Sequence, residues 1–230
     1  PENVGRFDAV LFYDMSGIAN AGLVHDDSND TGQPTDDYRQ SIEALVASGK
    51  GIVMLNHATC SWPEWPLWRQ IHGSSFMLTE GEVFGDTVPG SGYAGGHGPL
   101  PNPSFTLSPV DASHPVTAGL EGGLTVADEI YIKSNNFEAN VLPLMRSDYE
   151  YVSSNFTAPP MAPAEQQEGW THPGGSNLVV WANAAQNSPV VASDIGDSPG
   201  AFENAGFRRL LKNALQWVAS DEARQWARQQ

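Results

Sequence analysis

Two short apolar runs bracket an amphipathic segment near the start of the chain, and no other feature constrains the fold as tightly. Phe7-Asp8-Ala9-Val10-Leu11-Phe12-Tyr13 and Gly51-Ile52-Val53-Met54-Leu55 lack helical spacing and suit strands buried on both faces of a parallel sheet. Between them Tyr38, Ile42, Leu45 and Val46 recur at helical spacing, with Thr35 or Asp36 placed to cap the start and Gly49 the end. Strand, helix and strand in this order form the unit of a doubly wound, mostly parallel α/β sheet.

The remainder of the chain fits that frame. Glu129 to Ile132, Val141 to Met145, Asn177 to Trp181 and Pro189 to Ser193 read as further strands. A closing helix carries Phe207, Leu210, Leu211, Ala214, Leu215 and Val218 on one stripe, with Asn204 as its cap. The stretches 16–34 and 73–109 are rich in Gly, Asn, Asp, Pro and Ser, and read as an exposed loop and a long irregular excursion. Segment 150–176 reads as a surface insertion. At 230 residues the chain is short enough for one core, since single domains reach roughly 250 residues before splitting, and one domain over 1–230 is expected.

Charge narrows the partners. With 27 acidic against 11 basic residues the net charge is −16, a field that repels nucleic-acid backbones and anionic membranes. A neutral or cationic small molecule suits it better. Cys60 is the one cysteine, which excludes an intrachain disulfide and a multi-cysteine zinc site. No apolar run approaches the roughly 20 residues that span a bilayer, and no leader pattern opens the chain, so a cytoplasmic location is expected.

In an open parallel sheet ligands bind beyond the carboxyl ends of the strands, which singles out Asp14, His57, Asp194 and Asp197. His57 follows an apolar strand and is trailed by Trp62, Trp65 and Trp68, rings of the kind that stack on sugars when they are not closing a core. Asp128-Glu129 precedes a strand and supplies a carboxylate to work beside His57; alternation sends the two to opposite faces, so one of them at most reaches a shared pocket. His97, within Gly95-Gly96-His97-Gly98, sits on backbone free to approach a ligand closely. His57 and His97 together can bind a divalent metal such as zinc, although two histidines so far apart are a weak signal beside a solvated loop histidine. Cys60 lacks the strand-end position of a nucleophile. No G-x-S-x-G, H-E-x-x-H, G-x-G-x-x-G or P-loop motif occurs.

Taken in order, several segments resemble the ThuA-like, or trehalose-utilisation, family. They are Phe7 to Val10, Gly49 to His57, Trp68 to Phe76, His114-Pro115-Val116-Thr117-Ala118-Gly119-Leu120, Asp128-Glu129-Ile130-Tyr131 and Gly196 to Trp217. The resemblance implies a fold related to class I glutamine amidotransferases and to flavodoxin-like sheets, with histidine, here His57, at the nucleophile position, so the chain is not expected to be an active glutamine amidotransferase. It implies carbohydrate work on a sugar or disaccharide derivative such as a 3-keto sugar. On that reading His57, Glu129 and Asp128 carry the chemistry, while Asp14, Trp62, Trp65, His97 and Asp197 hold the substrate. The alternative is a non-catalytic carbohydrate-binding or interaction module; a homo-oligomer or a larger parent chain is open. Two departures stand out: Gly196-Asp197 occupies the place of the family's usual Gly-His, and the usual strand and helix upstream of Phe7 are missing.

Overall fold

Side chains along Gly51–Leu55 point alternately to two different cores, and this alternation organises the molecule. Ile52 and Met54 pack with Ile42, Leu45, Val46, Trp68 and Ile71, whereas Val53 and Leu55 pack with Phe207, Leu210, Ala214 and Val218. A strand buried on both faces, with helices above and below, follows from an apolar run that has no polar partner face. The computed structural model describes residues 4–13, 15–17, 33–96 and 98–230.

The strands are β1 (Ala9–Phe12), β2 (Gly51–Leu55), β3 (Gly81–Val83), β4 (Asp86–Val88), β5 (Gly92–Ala94), β6 (Ser104–Pro109), β7 (Leu124–Ala127), β8 (Ile130–Ile132), β9 (Leu142–Ser147), β10 (Leu178–Ala185) and β11 (Ser188–Ser193). The helices are α1 (Asp36–Ser48), α2 (Pro66–His72), α3 (Ala164–Gln167), α4 (Pro199–Glu203), α5 (Ala205–Val218) and α6 (Asp221–Ala227). The main sheet has the order β1-β2-β11-β10-β9-β6-β7, while β3-β4 and β5-β8 form separate two-stranded sheets.

The α/β class expected from the sequence holds, and the parallel portion of the sheet is its first three strands, β1, β2 and β11. From β11 onward every pairing is antiparallel. The cause is local. Only Gln186 and Asn187 separate β10 from β11, and a two-residue turn can join only antiparallel neighbours, whereas parallel strands need a crossover such as α1.

The helix ends follow their chemistry. Thr35 accepts from the Tyr38 N–H at the start of α1, Gly49 ends it at φ 77, and Asn204 accepts from the Gly206 and Phe207 N–H groups at the start of α5. The stretch 73–109 is more ordered than its composition suggests, since it holds β3, β4, β5 and the sheet strand β6. Segment 150–176 is not merely superficial either, because Tyr151 and Phe156 enter the core. Most of the acidic stretch 16–34 lies outside the described residues. No helix among those described is long and apolar enough to cross a membrane.

Candidate functional site

At the carboxyl end of β2 the backbone turns sharply into a 3₁₀ turn, Asn56–Thr59. Asn56 adopts φ 45, a left-handed conformation that asparagine tolerates better than most residues with a side chain. Its amide nitrogen donates to the Asp194 carbonyl (3.1 Å) and to Glu129 Oε2 (3.3 Å), which holds the turn in place. The left-handed position is thus Asn56, one residue before the histidine that the family resemblance puts at the nucleophile site.

His57, next in the chain, projects from this turn towards two carboxylates. Its Nε2 lies 3.3 Å from Glu129 Oε2 and 3.5 Å from Asp197 Oδ1, and the three side chains are 24%, 6% and 14% exposed. Glu129 enters from the start of β8, where Tyr131, two residues on and therefore on the same face, donates its hydroxyl to Glu129 Oε2 at 2.7 Å. Burial holds the Tyr131 phenol well above its ordinary value, so it stays protonated and remains a donor. Gly96 closes over the other carboxylate oxygen; any side chain there would collide with Glu129 Oε1.

Asp128 behaves differently from the role anticipated for it. Fully buried, it accepts from the Gly196 N–H (2.6 Å) and the Ser198 N–H (2.8 Å). Those bonds clamp the turn after β11, with Gly196 at φ 121, and the residue held between them is Asp197. Asp128 thus spends both oxygens on this turn, and of the two the carboxylate beside the imidazole is that of Glu129.

Burial pulls the His57 imidazole down, but the Glu129 hydrogen bond and the charges of Glu129, Asp197 and Asp128 outweigh it and leave the ring more basic than free histidine. His57 and Glu129 open into a pocket of about 90 Å³ walled by Cys60, Phe76, Tyr93, Tyr131 and Pro159 to Met161. Of these, the sequence singled out Cys60 and placed Phe76 and Tyr131 in segments of the family resemblance; the wall from 159–161 has no local signature. Among the described residues the cluster able to hold a metal ion is His57, Glu129 and Asp197, whose ligand atoms lie within 4.8 Å of one another. Asp14 and His97 lie outside the described residues, so the His57–His97 pairing is not described.

The tryptophans need correction. Trp62 and Trp65 are buried in the core with Tyr38 and Trp68, their rings 5.4 Å from Tyr38 and 6.0 Å from Trp68 respectively. Large aromatics gain most from burial, and neither ring has a free face for a sugar. Cys60 faces the pocket yet is buried, and burial followed by the Glu129 charge drives its thiol far upward. Native protein is accordingly expected to resist iodoacetamide until it is unfolded, with mass spectrometry as the readout; rapid modification of the folded chain would contradict the burial.

A family model described as ThuA, trehalose utilisation, matches residues 2–218. Among solved structures, a ThuA-like protein from Parabacteroides merdae is similar at TM-score 0.56 and 18% identity, over 95% of this chain and 81% of that one. Another from Bacteroides uniformis gives 0.60 and 16%, over 96% and 72%. A cytoplasmic protein from Salmonella typhimurium gives 0.52 and 10%, over 94% and 74%. At these identities the structural likeness speaks for the fold. No protein of curated function matches the sequence.

Proposed function

We propose, from the premise that the chain belongs to the ThuA family over residues 2–218, that its carbohydrate-related role is acid–base chemistry at His57 on a sugar derivative. The observation that carries this reading is the imidazole Nε2 set between Glu129 and Asp197 at 3.3 and 3.5 Å, at the mouth of a pocket beyond a parallel strand.

The raised basicity carries the protonated form of His57 to higher pH than in free histidine, and in that form the ring acts as proton donor to a substrate oxygen. Glu129 is placed to accept a proton, and Asp197 to orient a hydroxyl. A hydrolysis, elimination or isomerisation beside a carbonyl uses these parts. The pocket, about 90 Å³ and open to solvent on one side, lets a sugar ring approach His57 while the rest of a disaccharide extends towards solvent. All eleven Lys and Arg residues lie among those described, and none lines this pocket. The site accordingly suits an uncharged sugar derivative over a phosphorylated one.

Turnover of 3-keto derivatives of neutral disaccharides, followed against pH, tests the reading. The active acid form is lost as pH rises through the His57 value, so the alkaline limb is expected above the ordinary imidazole value of about 6.5. Asp197→Asn removes a charge that raises that value and should move the limb to lower pH. Saturable binding without turnover would favour a binding module instead, and a limb indifferent to Asp197 would take the ionisation away from His57.

A further inference from the structure

A second pocket lies at the opposite end of the sheet. β11 runs parallel to β2 with Ser193 beside Leu55; the turn at Gln186 therefore sits beyond the start of these strands, and His57 beyond their end. The pocket encloses about 330 Å³, more than three times the volume beside His57. Its polar lining side chains are Gln70, Asn140, Asn183 and Gln186, every one an amide, with Phe84 and Leu67 as the large apolar ones. A neighbouring cavity of about 400 Å³ shares Asn140 and Asn183 and extends to the half-buried Trp226.

Backbone strain points to the same place. Four non-glycine residues among those described have positive φ, and after Asn56 and Trp62 the other two are Phe84 (φ 51) and Gln186 (φ 52), both in this pocket's wall. Phe84 occupies the first position of the two-residue turn between β3 and β4, followed by Gly85 at φ 88, where asparagine or glycine is the low-energy choice. The residue is 41% exposed, so burial offsets only part of the strain. The hairpin is nonetheless held firmly: Arg69 donates to the Glu82 carbonyl and Asn136 to the Val83 carbonyl. An exposed aromatic ring kept in an unfavourable backbone conformation over a cavity is a feature to be explained by what it contacts.

We propose that this pocket is a second, non-catalytic binding site for an uncharged saccharide of two or more units. Gln70, Asn140 and Gln186 each carry an amide donor and acceptor on one carbon, a pattern that pairs with vicinal hydroxyls. Asn183 spends its Nδ2 on the Gln70 and Ile71 carbonyls and presents Oδ1 as an acceptor. Phe84 supplies an apolar face for the C–H side of a pyranose, and Trp226 a second one along the adjoining cavity. With no Asp, Glu, Lys or Arg in the lining of either cavity, a charged ligand would find no counter-ion there. The site stands apart from the acid–base reading at His57 and does not depend on it.

Titration of the ¹⁵N-labelled chain with maltose and with trehalose decides the matter. The expected result is a saturable shift of the Asn140 and Asn183 side-chain amides and of the Gln186 backbone amide, retained in His57→Gln. Phe84→Gly removes the ring and relieves the turn. It should weaken binding about five- to tenfold, the loss of one aromatic contact, without lowering the melting temperature. Gln186→Gly should also weaken binding, through the loss of its amide, while relieving the positive φ at that position. Shifts confined to the surroundings of His57, binding indifferent to Phe84→Gly, or no saturable shift with either sugar would overturn the proposal.

Discussion

Turnover by His57→Gln is expected to fall by about 10²- to 10⁴-fold, the usual contribution of a positioned acid or base, with the chain still folded. The second half of that statement matters as much as the first. His57 is part-exposed, at 24%, and is absent from the hydrophobic clusters, so its replacement leaves both cores intact. Glutamine keeps a donor for Glu129 and Asp197 but has no proton to exchange near neutrality. The variant should therefore also lose the ionisation on the alkaline side of the pH profile. Unchanged turnover in a variant that circular dichroism shows to be folded would remove the histidine from the mechanism.

Lys133→Met is expected to cost the fold about 3–5 kcal/mol, the range for stripping one partner from a buried ion pair. Lys133 Nζ lies 2.7 Å from Asp194 Oδ1, both side chains are 2% exposed, and Ser74 Oγ accepts a further bond at 3.2 Å. The ammonium also sits over the Trp181 ring at 4.5 Å. Burial holds the Asp194 carboxyl above its ordinary value, with Lys133 pulling the other way. Without that lysine the carboxyl rises further. Its folded-state value then exceeds its unfolded one, so the penalty is greatest at neutral pH and shrinks as pH falls and Asp194 protonates in the folded state. Urea denaturation at two pH values reads this directly. Asp194→Asn in the Lys133→Met background should restore most of the loss, and a single-variant loss independent of pH would place the damage in packing.

This pair also links stability to the candidate site. Asp194 takes a bond from the Thr59 hydroxyl at 3.3 Å, and its carbonyl takes one from Asn56. Both donors belong to the turn that carries His57. A site at the end of a strand is only as well ordered as the turn that shapes it, and here the turn is tied to a buried charge pair.

The strand-helix-strand opening, the caps at Thr35, Gly49 and Asn204, and the location of His57 beyond β2 were legible in the sequence. Each depends on residues close together in the chain, through periodicity, side-chain capping or the rule for strand ends. Family membership was legible for a different reason, the order of several short segments over most of the chain. The tryptophans misled, since an aromatic cluster beside a polar residue has the same local pattern whether it faces a ligand or fills a core. Trp62 and Trp65 fill the core because α1, through Tyr38, covers them.

Local chemistry along the chain thus determined the α/β class, the helix ends and the candidate histidine. Tertiary structure alone decided that Glu129 meets His57 while Asp128, one residue earlier, reaches across to the 196–198 turn and presents Asp197. It also decided that residues 159–161 wall the pocket and that Phe84 and Gln186 share a cavity. The physical reason is distance along the chain: contacts between residues about 70 or 100 positions apart arise from sheet order and two-sided burial, and no short window of sequence records which distant side chain completes a contact.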